Sequence, residues 1–193
     1  FPKHDVLLLV DRHQKNTVNC ENFQIQQVFL HGQYTEIEKQ LNHPTDFRHN
    51  FWFTSMARLT AICDFVIENN QPVLHIESDV LLAVDLPINK FHELDRPIAY
   101  TILGENSAVA SVFWLRSVES AEYLKSYIMK SVLADSNTTD MRILGNFQRE
   151  NARLVRILAS FPHETSHLNK PLPLAVIQDF EYTSNHFEGF FDG

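Results

Sequence analysis

The chain has 193 residues, a formal net charge of −8, 44% hydrophobic and 21% charged residues, the balance of one globular domain with a full core. The acidic excess argues against a general nucleic-acid or anionic-membrane surface, because phosphate backbones require clustered Lys and Arg, but it admits a small anionic ligand held through a metal. Cys20 and Cys63 form no Cys-x-x-Cys pair, which removes zinc-ribbon and thioredoxin-like readings and favours reduced thiols over a single disulfide.

Between Asp5 and Asp11, the run Val6-Leu7-Leu8-Leu9-Val10 is continuously apolar, as in a central strand of a parallel sheet. Residues 23–30 alternate in part and predict a second strand, and 34–41 predict a short helix. Across 51–68, Leu59, Ile62, Cys63, Val66 and Ile67 recur at helical spacing and stop before Asn69-Asn70 and Pro72, the pattern of an amphipathic helix. A buried strand follows from Val73, and 98–102 and 109–115 read as further strands. Ser117 is placed to cap a helix over 118–133, with Ala121, Leu124, Ile128 and Val132 inward. Another helix runs from Asp140 to about Gln148, and 154–158 suits a strand or a helix end. From Pro162 onward, Pro171, Pro173 and scattered His and Asn predict irregular backbone with one short apolar run at 174–177. Strands and helices alternate with no repeat and no linker, which predicts a single α/β domain over 1–193 with a mainly parallel sheet. No apolar run approaches the roughly 20 residues of a membrane span.

The strand from Val73 ends in Glu77-Ser78-Asp79. Strand alternation sends the two acids to the same side, where hard carboxylate oxygens suit Mg²⁺ or Mn²⁺. The plainer alternative is a strand that ends in polar loop residues. The five glycines form neither Gly-x-Gly-x-x-Gly nor a Walker loop, and Gly-x-Ser-x-Gly is absent. An α/β protein without a phosphate-cradling loop needs another route to a phosphorylated ligand, and a metal at Glu77 and Asp79 supplies one. The ten histidines show no His-Glu-x-x-His spacing, and His75 reads as a core histidine with a local hydrogen bond. The phenylalanines at 47, 51, 53, 187, 190 and 191 suit core packing better than sugar stacking.

With Arg58-Leu59 in one helix and a strand ending His-Ile-Glu-Ser-Asp-Val, the chain resembles the core of the GT-A glycosyltransferases. The similarity continues through Ala110-Ser111-Val112-Phe113-Trp114-Leu115-Arg116-Ser117 and Thr138-Thr139-Asp140-Met141-Arg142-Ile143-Leu144. The resemblance covers residues 5 to about 160 and departs from the family pattern at Glu77, where an Asp is usual, and at Thr139, where an acid is usual. It implies a three-layer α/β/α sandwich around a mixed, mostly parallel sheet. It also implies metal-dependent transfer of a sugar from a UDP- or GDP-linked donor to a glycan or other hydroxyl acceptor. By the same resemblance, Glu77, Asp79 and a late histidine, His186 or His163, hold Mn²⁺ or Mg²⁺. Asp11, Arg58 and Ser78 lie on the donor side, and Asp140 acts as general base in an inverting transfer.

Each assignment has a structural counterpart. Asp140 after Asn137-Thr138-Thr139 also reads as a helix-start acid, favoured by free N–H groups and the dipole. Arg58 also reads as an exposed helix charge, and Asp11 as a turn residue. Two alternative functions follow: a catalytically silent GT-A-like module binding a glycan or partner, and a sugar-phosphate nucleotidyltransferase, which would carry a Gly-rich loop where Asp11-Arg12-His13-Gln14-Lys15 stands. Phe1 is no initiator and the chain ends at Asp192-Gly193, so the segment reads as cut from a longer protein at both ends. Both a cytoplasmic enzyme and a Golgi-lumen domain fit this segment.

Overall fold

Apolar periodicity places most of the elements. The computed structural model describes residues 6–10, 25–29, 37, 39–44, 51–77, 80, 87–104, 106–160, 173–189 and 191. The chain's contacts fall into two compact units, Phe1–Glu36 and Ile37–Gly193. In the first, β1 (Val6–Val10) and β2 (Ile25–Phe29) pair in parallel, Val6 beside Ile25 and Val10 beside Phe29.

In the larger unit residues 37, 39 and 40 are helical, within the short helix expected over 34–41, and α1 (Phe51–Asn69) buries Met56, Leu59, Ile62, Cys63 and Val66 along one face. Asn70 ends it at φ 51°, a left-handed position that Asn tolerates better than most side chains. Next come β3 (Val73–Ile76), α2 (Ile88–His92), β4 (Ile98–Gly104) and β5 (Ser107–Leu115). Ser117 caps α3 (Val118–Ala134) through its exchange with Ser120, and Thr139 caps α4 (Asp140–Glu150) by accepting from the Arg142 N–H. The predicted inward residues Ala121, Leu124, Ile128 and Val132 are all buried. A short β6 (Val155–Ile157) and α5 (Leu174–Phe187) complete the described elements.

The architecture is α/β, with an open four-stranded mixed sheet in the order β3-β5-β4-β6. Its register sets two rows of side chains across the strands. Leu74, Trp114, Ala99 and Arg156 share one row, and His75, Phe113, Tyr100 and Ile157 the other. Trp114 and Ala99 pack with Phe91 and Leu94 around α2 and with Phe187 and Phe191 at the end of the chain. On the opposite face Tyr100 stacks on Phe113, and its hydroxyl donates to the Leu144 carbonyl of α4 at 2.8 Å.

Two expectations change. Among the described residues of the larger unit β3–β5 and β4–β5 are antiparallel and only β4–β6 is parallel. β4 ends at Gly104 and β5 starts at Ser107, and so short a connection makes a hairpin of antiparallel strands; a parallel neighbour needs a crossover. The irregular backbone expected beyond Pro162 gives way at Pro173 to the 14-residue α5. Its buried positions are Val176, Asp179, Thr183 and Phe187, correctly spaced for a helix but half polar, so the apolar stripe is interrupted.

Candidate functional site

Beyond Ile76 the backbone keeps to the sheet for one more residue: the Glu77 N–H donates to the Ser111 carbonyl at 2.9 Å. There β5 is irregular. Tyr100 faces Phe113 but Thr101 faces Val109, so β5 carries extra residues between those pairs. Bulges of this kind bend a strand and re-aim neighbouring side chains. The Glu77 carboxylate meets Arg58 of α1, whose Nη1 donates to Oε1. The other arm of the guanidinium, Nη2, reaches Asp140 Oδ2 at 3.4 Å. One arginine thereby bridges acids that stand 19 and 82 positions away in the chain.

Each partner is positioned by packed structure. Leu59, next to Arg58, is 1% exposed, so α1 is anchored while the arginine head stays partly accessible. Asp140 opens α4 and is buried. The helix is held close to the β4–β5 hairpin at Gly145, where a Cβ would stand 2.3 Å from the Asn106 carbonyl carbon. From outside, His43 Nε2 bonds the Thr138 carbonyl at 2.6 Å and stacks on Trp52, fixing the turn before Asp140.

Burial pushes the Asp140 carboxyl above its ordinary value; the Arg58 guanidinium and the Met141 N–H pull it back, and the Glu77 charge adds to the rise. A carboxyl so raised suits a general base better than an ordinary aspartate does. The same residue fills the helix-start role, because the Met141 N–H is one of its partners. His75, on the same row as Phe113 and Tyr100, is lowered to about 4 by burial first and then by Arg58. Among the described residues its Nε2 is buried without a partner, as is Nε of Arg58. The hydrogen bond expected for a core histidine is therefore missing at that nitrogen.

Glu77, Arg58 and Asp140, each singled out from a different segment, come together. His186 is held elsewhere: its Nε2 bonds the Lys90 carbonyl of α2 at 2.8 Å, and its ring stacks on Tyr182 and meets Phe187 edge-on. These contacts tie it to α2 and α5. Asp11, Ser78, Asp79 and His163 lie outside the described residues. Among the described residues no group of three His, Cys, Asp or Glu could hold a metal ion, and no helix is long and apolar enough to cross a membrane. The donor chemistry at Glu77, a carboxylate at a strand end two residues before another acid, suits a hard divalent cation.

Sequence reasoning missed two contributors. Gly145 stood in an unremarkable helix, and only the neighbouring hairpin explains it. The irregularity of β5 beside Glu77 has no local composition signal. Comparison with protein-family models, with curated proteins and with solved structures yields no match.

Proposed function

We propose that this chain is a metal-dependent glycosyltransferase domain of GT-A type, transferring a sugar from a UDP- or GDP-linked donor to a hydroxyl acceptor, glycan or otherwise. The observation that carries the reading is the convergence of Glu77, Arg58 and Asp140 at the end of a sheet strand. All three belong to the motifs by which the chain resembles that family. The larger unit would be the three-layer sandwich, with α1, α3 and α4 over the Tyr100 face and α2 and α5 over the Trp114 face.

Glu77 and Asp79 would hold Mn²⁺ or Mg²⁺, with Ser78 on the donor side. A bound divalent cation neutralises charge on the departing nucleoside diphosphate. Arg58 offers a planar fork that matches phosphate oxygens. Asp140 takes the proton of the acceptor hydroxyl as that oxygen attacks the sugar, the role a base has in an inverting transfer.

One observation favours a second reading. Arg58 already neutralises both acids, as in a purely structural ion cluster, and a catalytically silent GT-A-like module binding a glycan or a partner would retain it. The deciding experiment is titration calorimetry with UDP and GDP, with and without Mn²⁺, on the wild type and on Asp79→Ala. Mn²⁺-dependent nucleotide binding that Asp79→Ala abolishes supports the enzyme. Folded wild-type protein that binds neither nucleotide supports the silent module.

A further inference from the structure

Arg58 is one cation facing two acids, and it spends one terminal nitrogen on each. A divalent cation approaching Glu77 meets the guanidinium on the same carboxylate, and two positive centres at that range repel strongly outside bulk water. Either the cation is kept out or the arginine must leave. The side chain can leave: it is 22% exposed, its stem is unbranched, and the helix beneath it is fixed by Leu59 and Ile62, each 1% exposed. Its Nε is buried with no partner among the described residues, so turning the head forfeits no bond to them at that nitrogen. A diphosphate is the chemistry that would draw it away, since its oxygens accept from both terminal nitrogens at once.

We infer that Arg58 is a positioning residue that makes cation binding at Glu77 depend on the nucleotide diphosphate. Without the diphosphate it occupies Glu77 and Asp140. With it, Arg58 turns to the phosphate oxygens and releases Glu77 to the cation and Asp140 to the acceptor hydroxyl. The inference rests on the donor-site reading above. By linkage the coupling is reciprocal: whatever the nucleotide adds to cation affinity, the cation adds to nucleotide affinity.

The test is Mn²⁺ binding, measured by calorimetry and by the paramagnetic resonance of free Mn²⁺, on wild type, Arg58→Met and Arg58→Lys. It is run first without nucleotide and then with UDP or GDP. Removing a charge-assisted bond from Glu77 should tighten Mn²⁺ binding alone by about tenfold in Arg58→Met. Nucleotide binding at saturating Mn²⁺ should weaken by about tenfold, and the cooperativity should shrink to what direct contact between cation and diphosphate supplies. A merely structural arginine would weaken both. Arg58→Lys keeps the charge without the fork and should lose most of the nucleotide dependence, which carries the test if the methionine variant does not fold. Mn²⁺ affinity without nucleotide that is unchanged or lower in folded Arg58→Met, or a nucleotide dependence that Arg58→Lys keeps in full, overturns the inference, and the donor-site reading survives if the wild type binds Mn²⁺ with nucleotide. Wild-type protein that binds neither Mn²⁺ nor nucleotide overturns both.

Discussion

Gly145→Ala tests the placement of the helix that carries Asp140. A Cβ at this position would lie 2.3 Å from the carbonyl carbon of Asn106, 2.6 Å from its oxygen and 2.5 Å from the Ser107 nitrogen. All three are backbone atoms, so no rotamer change relieves the contact, and α4 must back away from the hairpin by roughly 1 Å in a close-packed interior. Overpacking of this kind costs about 1 to 3 kcal/mol, and backbone on both sides puts this case at the upper end. Alanine returns up to about 1 kcal/mol through helix propensity. The net loss is about 2 kcal/mol, which lowers the melting temperature by roughly 4 to 8 °C for a unit of this size. Because Asp140 opens the same helix and meets Arg58 at only 3.4 Å, the displacement should also weaken that contact. Urea titration and thermal melting of the purified variant measure the first effect. Crystallography, or a double-mutant cycle with Arg58→Met, measures the second. A variant as stable as the wild type, or stabilised by its better helix former, would show that α4 does not approach the hairpin this closely and would undo the account of how Asp140 is placed.

Asp179 is buried and accepts from Arg96 at 2.8 Å, from the Ile157 N–H at 3.3 Å and from Arg156. Asp179→Ala should cost about 3 kcal/mol by leaving Nη1 of the buried Arg156 without its carboxylate, although Asp95 still holds Nε and Nη2; chemical denaturation reads the loss, and adding Arg156→Met should recover much of it. Cys63 is free and fully buried, and burial first, then the neighbouring Asp64, pushes its thiol far above the usual range. In a Cys20→Ser background a thiol reagent should therefore label nothing until the protein unfolds, and fast labelling in native buffer would contradict this packing. His75 sits near 4 when folded against about 6.5 when unfolded. As pH falls through that window the unfolded chain takes up a proton that the native state refuses, so stability present above about 6.5 is lost on the way to 4. Metal-free wild type should lose roughly 1 to 2 kcal/mol more than His75→Phe between pH 7 and pH 5; equal slopes in the two proteins would show that His75 is accessible to protons in the fold.

Elements whose buried face is apolar were legible in the sequence. The stripe Leu59, Ile62, Cys63 and Val66 marked α1, and the Ser117 cap with Ala121, Leu124, Ile128 and Val132 marked α3. Helix α5 was hidden because it turns Asp179 and Thr183 inward. Those residues are buried only because Arg156, Arg96 and backbone groups from β6 meet them. That is long-range information which no local pattern holds. The site divides in the same way. Glu77, Arg58 and Asp140 were each visible as residue types in the right order, but their meeting depends on strand register and on the irregularity of β5 opposite Thr101. The bridging arginine could not be inferred from spacing, since nothing in a helix position says which strand end it will face.

The molecule holds two charged clusters among its described residues, and they are built to different ends. At Arg156 the network is closed. Asp179 and Asp95 share the guanidinium, Arg96 and the Ile157 N–H take the remaining capacity of Asp179, and Tyr182 covers the cation at 4.4 Å. A buried ion pair holds a fold only when its polar atoms are satisfied in this way. At Arg58 the network is open: Nε of the arginine and Nε2 of the nearby His75 are buried without partners among the described residues, and burial raises Asp140 despite the arginine beside it. Desolvation of that kind is poorly offset, so the cluster contributes little to stability and is a costly way to fasten α1 to α4. The apolar residues of α1 and the close contact of Gly145 with the β4–β5 hairpin already hold each helix in place. Strain concentrated in charge rather than in packing is what a site awaiting a charged ligand would show, and it leads to a sharp expectation. Replacing Arg58, Glu77 and Asp140 together by Met, Gln and Asn should leave the melting temperature within a few degrees of wild type, since the surrounding packing is untouched. Replacing Arg58 alone, which leaves two acids facing each other, should lower it clearly. If instead the triple variant melts far below the single one, the cluster is a structural clasp, and a ligand site at the end of β3 loses its physical basis.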